Sequence, residues 1–513
     1  MKSTIRLLTT SLVALATSGP VTATAQELVV GFTLDAATLD PAAHRNRQTE
    51  TIIRNIYDGI LTRDSQMNIH PELAESYEQV SPTVYDFKIR DGVTFHDGTP
   101  MTAEDVKFTL DRLTQEGAMG NDQTSPRQSL AGPIAGVEVT EGNTVRITLS
   151  EPWPLLPAML PFQEVVSQKF IEEVGSDGAA TQTNGTGPFK LVEWRKGDSI
   201  IMERYDDYYG GAAGIEPVGP ACVDRAIFKV IPESASRVAA LLSGDVHIIN
   251  ELPVFSMAQV ENNPDTEVKT TNGTRSFFIA MNNKGEIFDD VKVRQAVAHA
   301  LDKDLIIDRI LGGTAQSISG ILSPDAFGKN TELPGSDYDP EKARALLAEA
   351  GYPDGISVTL DVEGAFKDTA EAIASVLTKA GIETTVQVGE GQLLTQKWRT
   401  KGGEKQGDMW FSSWGNGSLD PFGIFNPTHM TAARGNSAGY SNPELDALLE
   451  TAATEIDRDK RAEMYREAEA MAAADAPYVY LWVPQDIYGV STRLSNWEPS
   501  PDSRINLHDA CLD

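Results

Sequence analysis

Cysteine is nearly missing from this chain: 513 residues carry two, Cys222 and Cys511. A cysteine-poor chain with a secretory leader leaves two readings, one disulfide in an oxidising compartment or two buried thiols. Because the first cysteine is Cys222, none stands at the leader's end to carry a lipid. Histidine is sparse as well. The seven, His44, His70, His96, His247, His299, His429 and His508, show no metal-ligand spacing. Basic residues are outnumbered, 43 Lys and Arg against 74 Asp and Glu, giving a formal charge of −31. A surface that acidic repels nucleic acid and anionic lipid and favours solubility. No segment approaches the roughly 18 unbroken apolar residues of a membrane span. Neither a Walker phosphate loop nor a dinucleotide fingerprint is found, so no cofactor is expected.

What is there begins with an export signal. Lys2 and Arg6 form a short basic region, residues 7–16 an apolar stretch, and Ala23-Thr24-Ala25 a small-x-small cleavage site. The mature chain is expected to start at Gln26, in the periplasm of a Gram-negative bacterium. Its length exceeds one core, and two or three domains are expected. Residues 27–34, 137–139, 145–149, 190–194, 226–231 and 246–249 read as strands. A helix is expected over 51–61, where Ile52, Ile53, Ile56 and Ile60 share a face. Further on, Asp339 and Pro340 open a helix with Ala343, Leu346, Leu347 and Ala350 on one face. Ile356, Val358, Leu360 and Val362 alternate; a helix over 369–379 stops at Gly381; Ile382, Thr384, Val386 and Val388 alternate again. Strand, crossover helix and strand at this spacing predict a parallel pair, hence an α/β domain.

The run from Tyr85 to Phe108 is the most informative. Tyr85, Phe87 and Ile89 alternate, Asp91-Gly92 turns, a short second strand follows, and Asp97-Gly98 turns again. Thr102 and Asp105 then signal a helix start. In wording this run resembles the signature of the peptide/nickel/oligopeptide-binding family 5 of extracytoplasmic solute-binding proteins, receptors of ABC importers. The resemblance extends over nearly the whole mature chain. It includes Thr38-Leu39-Asp40-Pro41, Ile56-Tyr57-Asp58-Gly59, the corner Gly185-Thr186-Gly187-Pro188-Phe189, Val293-Arg294-Gln295-Ala296, and residues 439–446. His247 departs from the family, which has an acid there, and reads as a surface change without consequence. His96 in the signature reads as structural.

The resemblance implies an α/β, periplasmic-binding-protein-like fold: two α/β lobes joined by a two-crossover hinge, plus an extra inserted lobe. Lobe I would comprise 26–68, 184–272 and 480–513, lobe II 69–183, and lobe III 273–479, after a signal peptide at 1–25. Crossovers near 272–277 and 478–482 would form the hinge. A small-molecule or peptide ligand would be held between lobes I and III by a monomer. It would be passed to inner-membrane ABC permease subunits served by separate cytoplasmic ATPases.

The ligand site departs from the family's pattern. Peptide-binding members carry an aspartate for the peptide's ammonium after a tryptophan-led strand; here the run is Ser413-Trp414-Gly415-Asn416-Gly417-Ser418-Leu419-Asp420-Pro421, and that place falls on Gly417. A buried ammonium without a counter-charge is costly. Arginines cluster instead in the implied ligand-contacting segments: Arg45 and Arg47 flank Asn46, Arg275 leaves the first crossover, and Arg434 lies in a loop. Guanidinium forks suit carboxylate or phosphate. The expected ligand is therefore a short peptide or peptide-like anion, such as an acidic peptide or an opine-like conjugate. Trp414 is the leading candidate for a stacking wall, Trp398 is read as exposed or a lid, and Trp410 as core. Oligosaccharides, and a nickel chelate unsupported by the histidine spacing, are the alternatives within the family. Outside it stand a non-transporting sensor or chaperone, and a secreted hydrolase. Gly435-Asn436-Ser437-Ala438-Gly439 matches G-x-S-x-G but lacks the strand–turn–helix setting of a nucleophile elbow, so no enzyme is expected.

Overall fold

The computed structural model describes residues 25–120, 122–216, 218–399 and 407–513. The expected leader, Ala25 apart, lies outside the described residues. Two parallel-strand cores organise the molecule. In one, Glu27–Phe32 lies between Arg225–Val230 and Ile248–Ile249, parallel to both, and Ser199–Arg204 and Phe189–Arg195 extend the sheet antiparallel. In the other, Ile356–Glu363 lies between Ile382–Gly389 and Met409–Gly415, again parallel to both, with Arg275–Met281 antiparallel beyond. Strands buried on both faces suit the apolar runs Leu28-Val29-Val30 and Phe277-Phe278-Ile279. The crossover helix Lys367–Lys379 links the parallel pair as the spacing predicts.

One strand joins the two cores. Tyr478–Ser491 pairs with Arg275–Met281 through residues 478–482 and with Thr266–Asn272 through residues 485–491. The change of partners falls at 483–485, just beyond the expected 478–482. The other crossover is the break at Gly273-Thr274. Gly273 is required there, because a Cβ would stand 2.6 Å from the Pro484 carbonyl oxygen. The two crossovers thus touch each other.

The inserted part is a four-stranded antiparallel sheet, Ala74–Ser81, Val84–Ile89, Thr144–Leu149 and Ile134–Thr140 in spatial order, covered by helix Ala103–Thr114. Tyr85, Phe87 and Ile89 meet Val145, Ile147, Val106 and Leu110 in its core. At the helix start the Asp105 carboxylate accepts from the Thr102 N–H and hydroxyl, 2.9 Å each, as the sequence predicts.

Three expectations are corrected. Residues 93–95 do not form a second strand against Val84–Ile89. They make a single bridge, Thr94 to Pro100, because Val93 and Phe95 turn into the core instead. The helix expected over 51–61 is Arg47–Ile53. It stops because the Asn55 and Ile56 carbonyls accept from Phe189 and Gly187 N–H, at 3.1 and 2.9 Å. A Cβ at Gly185 would lie 2.0 Å from the Ile56 oxygen, so the glycine corner can pack only there. His247 is half-buried rather than a bystander: its Nδ1 accepts from the Val29 N–H at 3.0 Å. His96 Nε2 donates to the Gly187 carbonyl at 2.9 Å, the structural part expected of it. Cys222 and Cys511 are disulfide-bonded, with Cα atoms 5.2 Å apart, which decides between the two readings of the cysteines.

Candidate functional site

Strand Met409–Gly415 ends beside the crossover at Gly273-Thr274, and the following loop is built on its own side chains. The Asn416 N–H donates to the Thr274 carbonyl (2.9 Å), its Nδ2 to the Asp420 carbonyl (2.9 Å), and its Oδ1 accepts from the Ser418 hydroxyl (2.9 Å). Asp420 is held by both Nη atoms of Arg461, at 2.7 and 2.5 Å, in a buried bidentate pair. Asn416, expected to touch ligand, is thus engaged inside its loop.

Five guanidinium groups gather around this strand end. Arg275 donates to the Ser413 hydroxyl (3.2 Å); Arg399 Nη2 reaches the Ser412 hydroxyl (3.4 Å) and the Ser413 carbonyl (3.5 Å). Arg399 and Arg434 lie 4.9 and 4.8 Å from the centre of the Trp414 ring, in cation–π range. Arg47 donates to the hydroxyls of Ser503 (2.9 Å) and Thr274 (3.3 Å), and Arg45 to that of Ser129 (3.2 Å). Several buried arginines elsewhere are matched by acids, Arg112 by Asp40, Arg127 by Glu50 and Arg63 by Asp502, and others, Arg237 and Arg294, by backbone carbonyls. Of the five around the strand end, Arg399 is half-buried and the other four are exposed. None of these five has a carboxylate partner within 4.0 Å among the described residues.

Electrostatics follow from that imbalance. Burial lowers the pKa of Arg45, and the charge of Arg434 lowers it further; burial and then Arg47 do the same to Arg275. Arg399 is lowered by burial, with Arg434 and Arg275 adding to it against Tyr478 and Glu363. Asp486 is raised by burial although the Ser503 hydroxyl, Arg47 and Arg275 favour its charge. A chain of charge −31 therefore carries a cationic arc at one place. Such a group of preoriented forks binds oxyanions bidentately.

Gly417 faces the same space. A Cβ there would meet only Arg47 Nη2 at 3.3 Å and Phe162 at 3.7 Å, while the Gly417 carbonyl accepts from Arg63 at 3.1 Å. Asn46 caps helix Arg47–Ile53, its side chain accepting from the Thr49 N–H at 2.9 Å. The tryptophans differ from expectation. Trp398 is 0 % exposed, donates to Asp361 at 2.7 Å and stacks on Trp410, so it is neither surface nor lid. Lys397 reaches the same buried carboxylate at 2.5 Å, which pulls this charged stretch inward. Trp414 is 8 % exposed, with Nε1 on the Gly423 carbonyl at 3.0 Å and Gly435 against its ring. It props guanidinium groups rather than offering a bare face. Ser437 of the G-x-S-x-G run is fully buried in the loop between helices Phe422–His429 and Pro443–Thr454, with no strand ahead of it.

Residues 68–436 match the family described as bacterial extracellular solute-binding proteins, family 5 Middle. This chain belongs to that family. The family 5 chain is 27 % identical over 504 residues to the glutathione-binding protein GsiB of Pectobacterium atrosepticum, covering 95 % of this chain and 94 % of that one. Its fold superposes on HbpA2 from Haemophilus parasuis with a TM-score of 0.87 at 23 % identity, over 95 % and 100 % of the two chains. It also superposes on AgaA from A.tumefacien R10, solved in complex with agropinic acid, with a TM-score of 0.73 at 26 % identity, over 95 % and 99 %. The periplasmic-binding-protein architecture expected from the motifs is the one observed.

In this family 5 chain the structure brings Arg45, Arg47, Arg275, Arg434, Trp414 and Gly417 around one strand end and leaves Trp398 in the core. Sequence reasoning missed Arg399, Asp486, Glu363, Thr274 and Ser503. Arg399 follows the buried Trp398 at a helix end, and nothing in its neighbours' identity signals its direction. Among the described residues no group of three His, Cys, Asp or Glu is placed to hold a metal, and no helix is long and apolar enough to cross a membrane.

Proposed function

We propose that this protein is the periplasmic receptor of an ABC importer for a short, peptide-like anionic solute, which it captures between two lobes and delivers unchanged to the permease. The observation that carries this is the arc of five arginines without carboxylate partners in a strongly acidic chain. Gly417 supports it, since no acid stands where peptide-binding members hold an ammonium. The relatives fit the same chemistry: GsiB binds glutathione, a peptide with more carboxylates than ammonium groups, and AgaA was solved with agropinic acid.

In this reading lobe I is 26–68, 184–272 and 480–513, lobe II 69–183 and lobe III 273–479, with residues 1–25 a cleaved leader. The crossovers at Gly273-Thr274 and 483–485 form the hinge. The receptor works as a monomer and performs no chemistry. Closure follows from the ligand's higher affinity for the closed state.

A thermal-shift panel tests this, with glutathione, acidic dipeptides and opines against neutral and cationic peptides. An anionic ligand at a hundredfold over its Kd stabilises by about 2.7 kcal/mol. Tight binding confined to neutral or cationic solutes, or recovery of a chemically altered ligand, overturns the reading.

A further inference from the structure

The arc is continuous, and Arg399 is its middle. Arg434 and Arg399 share the Trp414 ring; Arg399 and Arg275 share Ser413. Arg47 bonds Thr274, the residue before Arg275. Arg45 lies within electrostatic reach of Arg434 and closes the other end. The Nε of Arg399 is buried with no acceptor among the described residues, as are those of Arg54, Arg63, Arg127, Arg237 and Arg504.

The charges come from two sides. Arg45 and Arg47 lie at the start of helix Arg47–Ile53, next to the sheet of Glu27–Phe32. Arg275, Arg399 and Arg434 belong to the sheet of Met409–Gly415 and its loops. Like charges presented to each other by two lobes disfavour the lobes' approach. One anionic group placed beside Trp414 answers Arg399 and Arg434 but leaves Arg47 and Arg275 repelling, with the Ser503-bound Asp486 near both and Glu363 within electrostatic reach of Arg275.

We propose that Arg399 is a ligand-binding residue and that the cleft takes a solute with two separated carboxylates, one on Arg399 and Arg434 beside Trp414, the other on Arg47 and Arg275 at the hinge. The second carboxylate is what draws the lobes together, since only it converts repulsion across the cleft into attraction. Both forks bind bidentately, which lysine cannot reproduce. This rests on the receptor reading above and adds to it the number and placement of the ligand's charges.

Titration calorimetry and small-angle scattering on the mature chain decide the matter, with glutathione and alanylglutamate as probes and each diacid also in its two monoamide forms. Expected are Arg399→Ala binding the diacids at least tenfold more weakly, Arg399→Lys recovering little, and both variants keeping the ligand-free melting temperature. The diacids should reduce the radius of gyration, whereas the monoamides should bind at least tenfold more weakly and leave it unchanged. Unaltered diacid binding by Arg399→Ala and Arg399→Lys, or compaction by a monoamide equal to the diacid's, overturns the two-carboxylate assignment while the receptor reading stands. Failure of the unmodified chain to bind any acid overturns both.

Discussion

A missing carboxylate sets the sign of this cleft. Position 417 has room for one: the backbone there is not left-handed, and a Cβ meets only the end of Arg47 and the edge of Phe162. Gly417→Asp should therefore fold normally and place its acid against Arg47. A charge-assisted bond of that kind is worth about 1.5–3 kcal/mol, so affinity for acidic ligands should fall roughly tenfold to a hundredfold. Peptides with a free ammonium should gain. Calorimetry with matched acidic and amino-terminal peptides checks this, and equal affinities in both proteins would show that Arg47 does not face the ligand. At this scale the sequence was partly legible. Arg45, Arg47, Arg275 and Arg434 could be picked out because guanidinium chemistry in ligand-contacting segments carries meaning by itself. Trp398 and Arg399 could not, because Asp361, buried in a strand of the neighbouring sheet, takes Trp398 and Lys397 inward and so decides which way their neighbour points, and nothing in the identity of these residues signals that contact.

The loop of residues 416–421 depends on one buried pair. Asp420 caps the following helix, accepting from the Phe422 N–H at 3.1 Å, while both its oxygens hold Arg461. Removing one member of a buried pair strands the other charge, so Asp420→Ala should lower stability by about 3–5 kcal/mol. Replacing both residues by apolar ones of similar size, Asp420→Leu with Arg461→Met, should recover most of that loss. Denaturant unfolding of the single and double variants checks the difference; equal losses would mean that Asp420 acts through its cap rather than its charge. Legibility of the elements followed locality. The Asp339 cap on Lys342, the Thr102–Asp105 box and the parallel pair around helix Lys367–Lys379 were readable, since each is settled within about forty residues of chain. The helix expected over 51–61 failed because its carbonyls are taken by the glycine corner at 185–189, more than a hundred residues away. Of the four isoleucines read as one helix face, all are buried, but only Ile52 and Ile53 are helical; Ile56 and Ile60 lie beyond the helix end. The shared strand Tyr478–Ser491 was legible only through family resemblance: its alternation cannot say that it changes partners half-way.

Over the whole molecule, stability should carry opposing pH slopes, because burial acts on acids and bases alike. His44 and His96 are lowered to about 4, chiefly by burial. Between 4 and their ordinary 6.5 the unfolded chain binds more protons, so both contribute stability that is lost as pH falls through that window. Asp509 runs the other way. Burial raises it from 3.8 to about 7, at the wall of a polar cavity of about 260 Å³ that Asp58, Tyr208 and His508 also line. Between those values the folded chain holds the extra proton, so stability falls as pH rises from 3.8 through 7. Asp509→Asn keeps the shape, cannot ionise, and should cancel that slope. Each pKa unit corresponds to about 1.4 kcal/mol; discounted for partial exposure, the variant's advantage should grow by about 1–2 kcal/mol between pH 5 and pH 8. Parallel thermal melts of parent and variant at both pH values measure it. An advantage of equal size at pH 5 and pH 8 would mean that Asp509 is already ionised in the folded chain, and that the cavity is wetter than its lining implies.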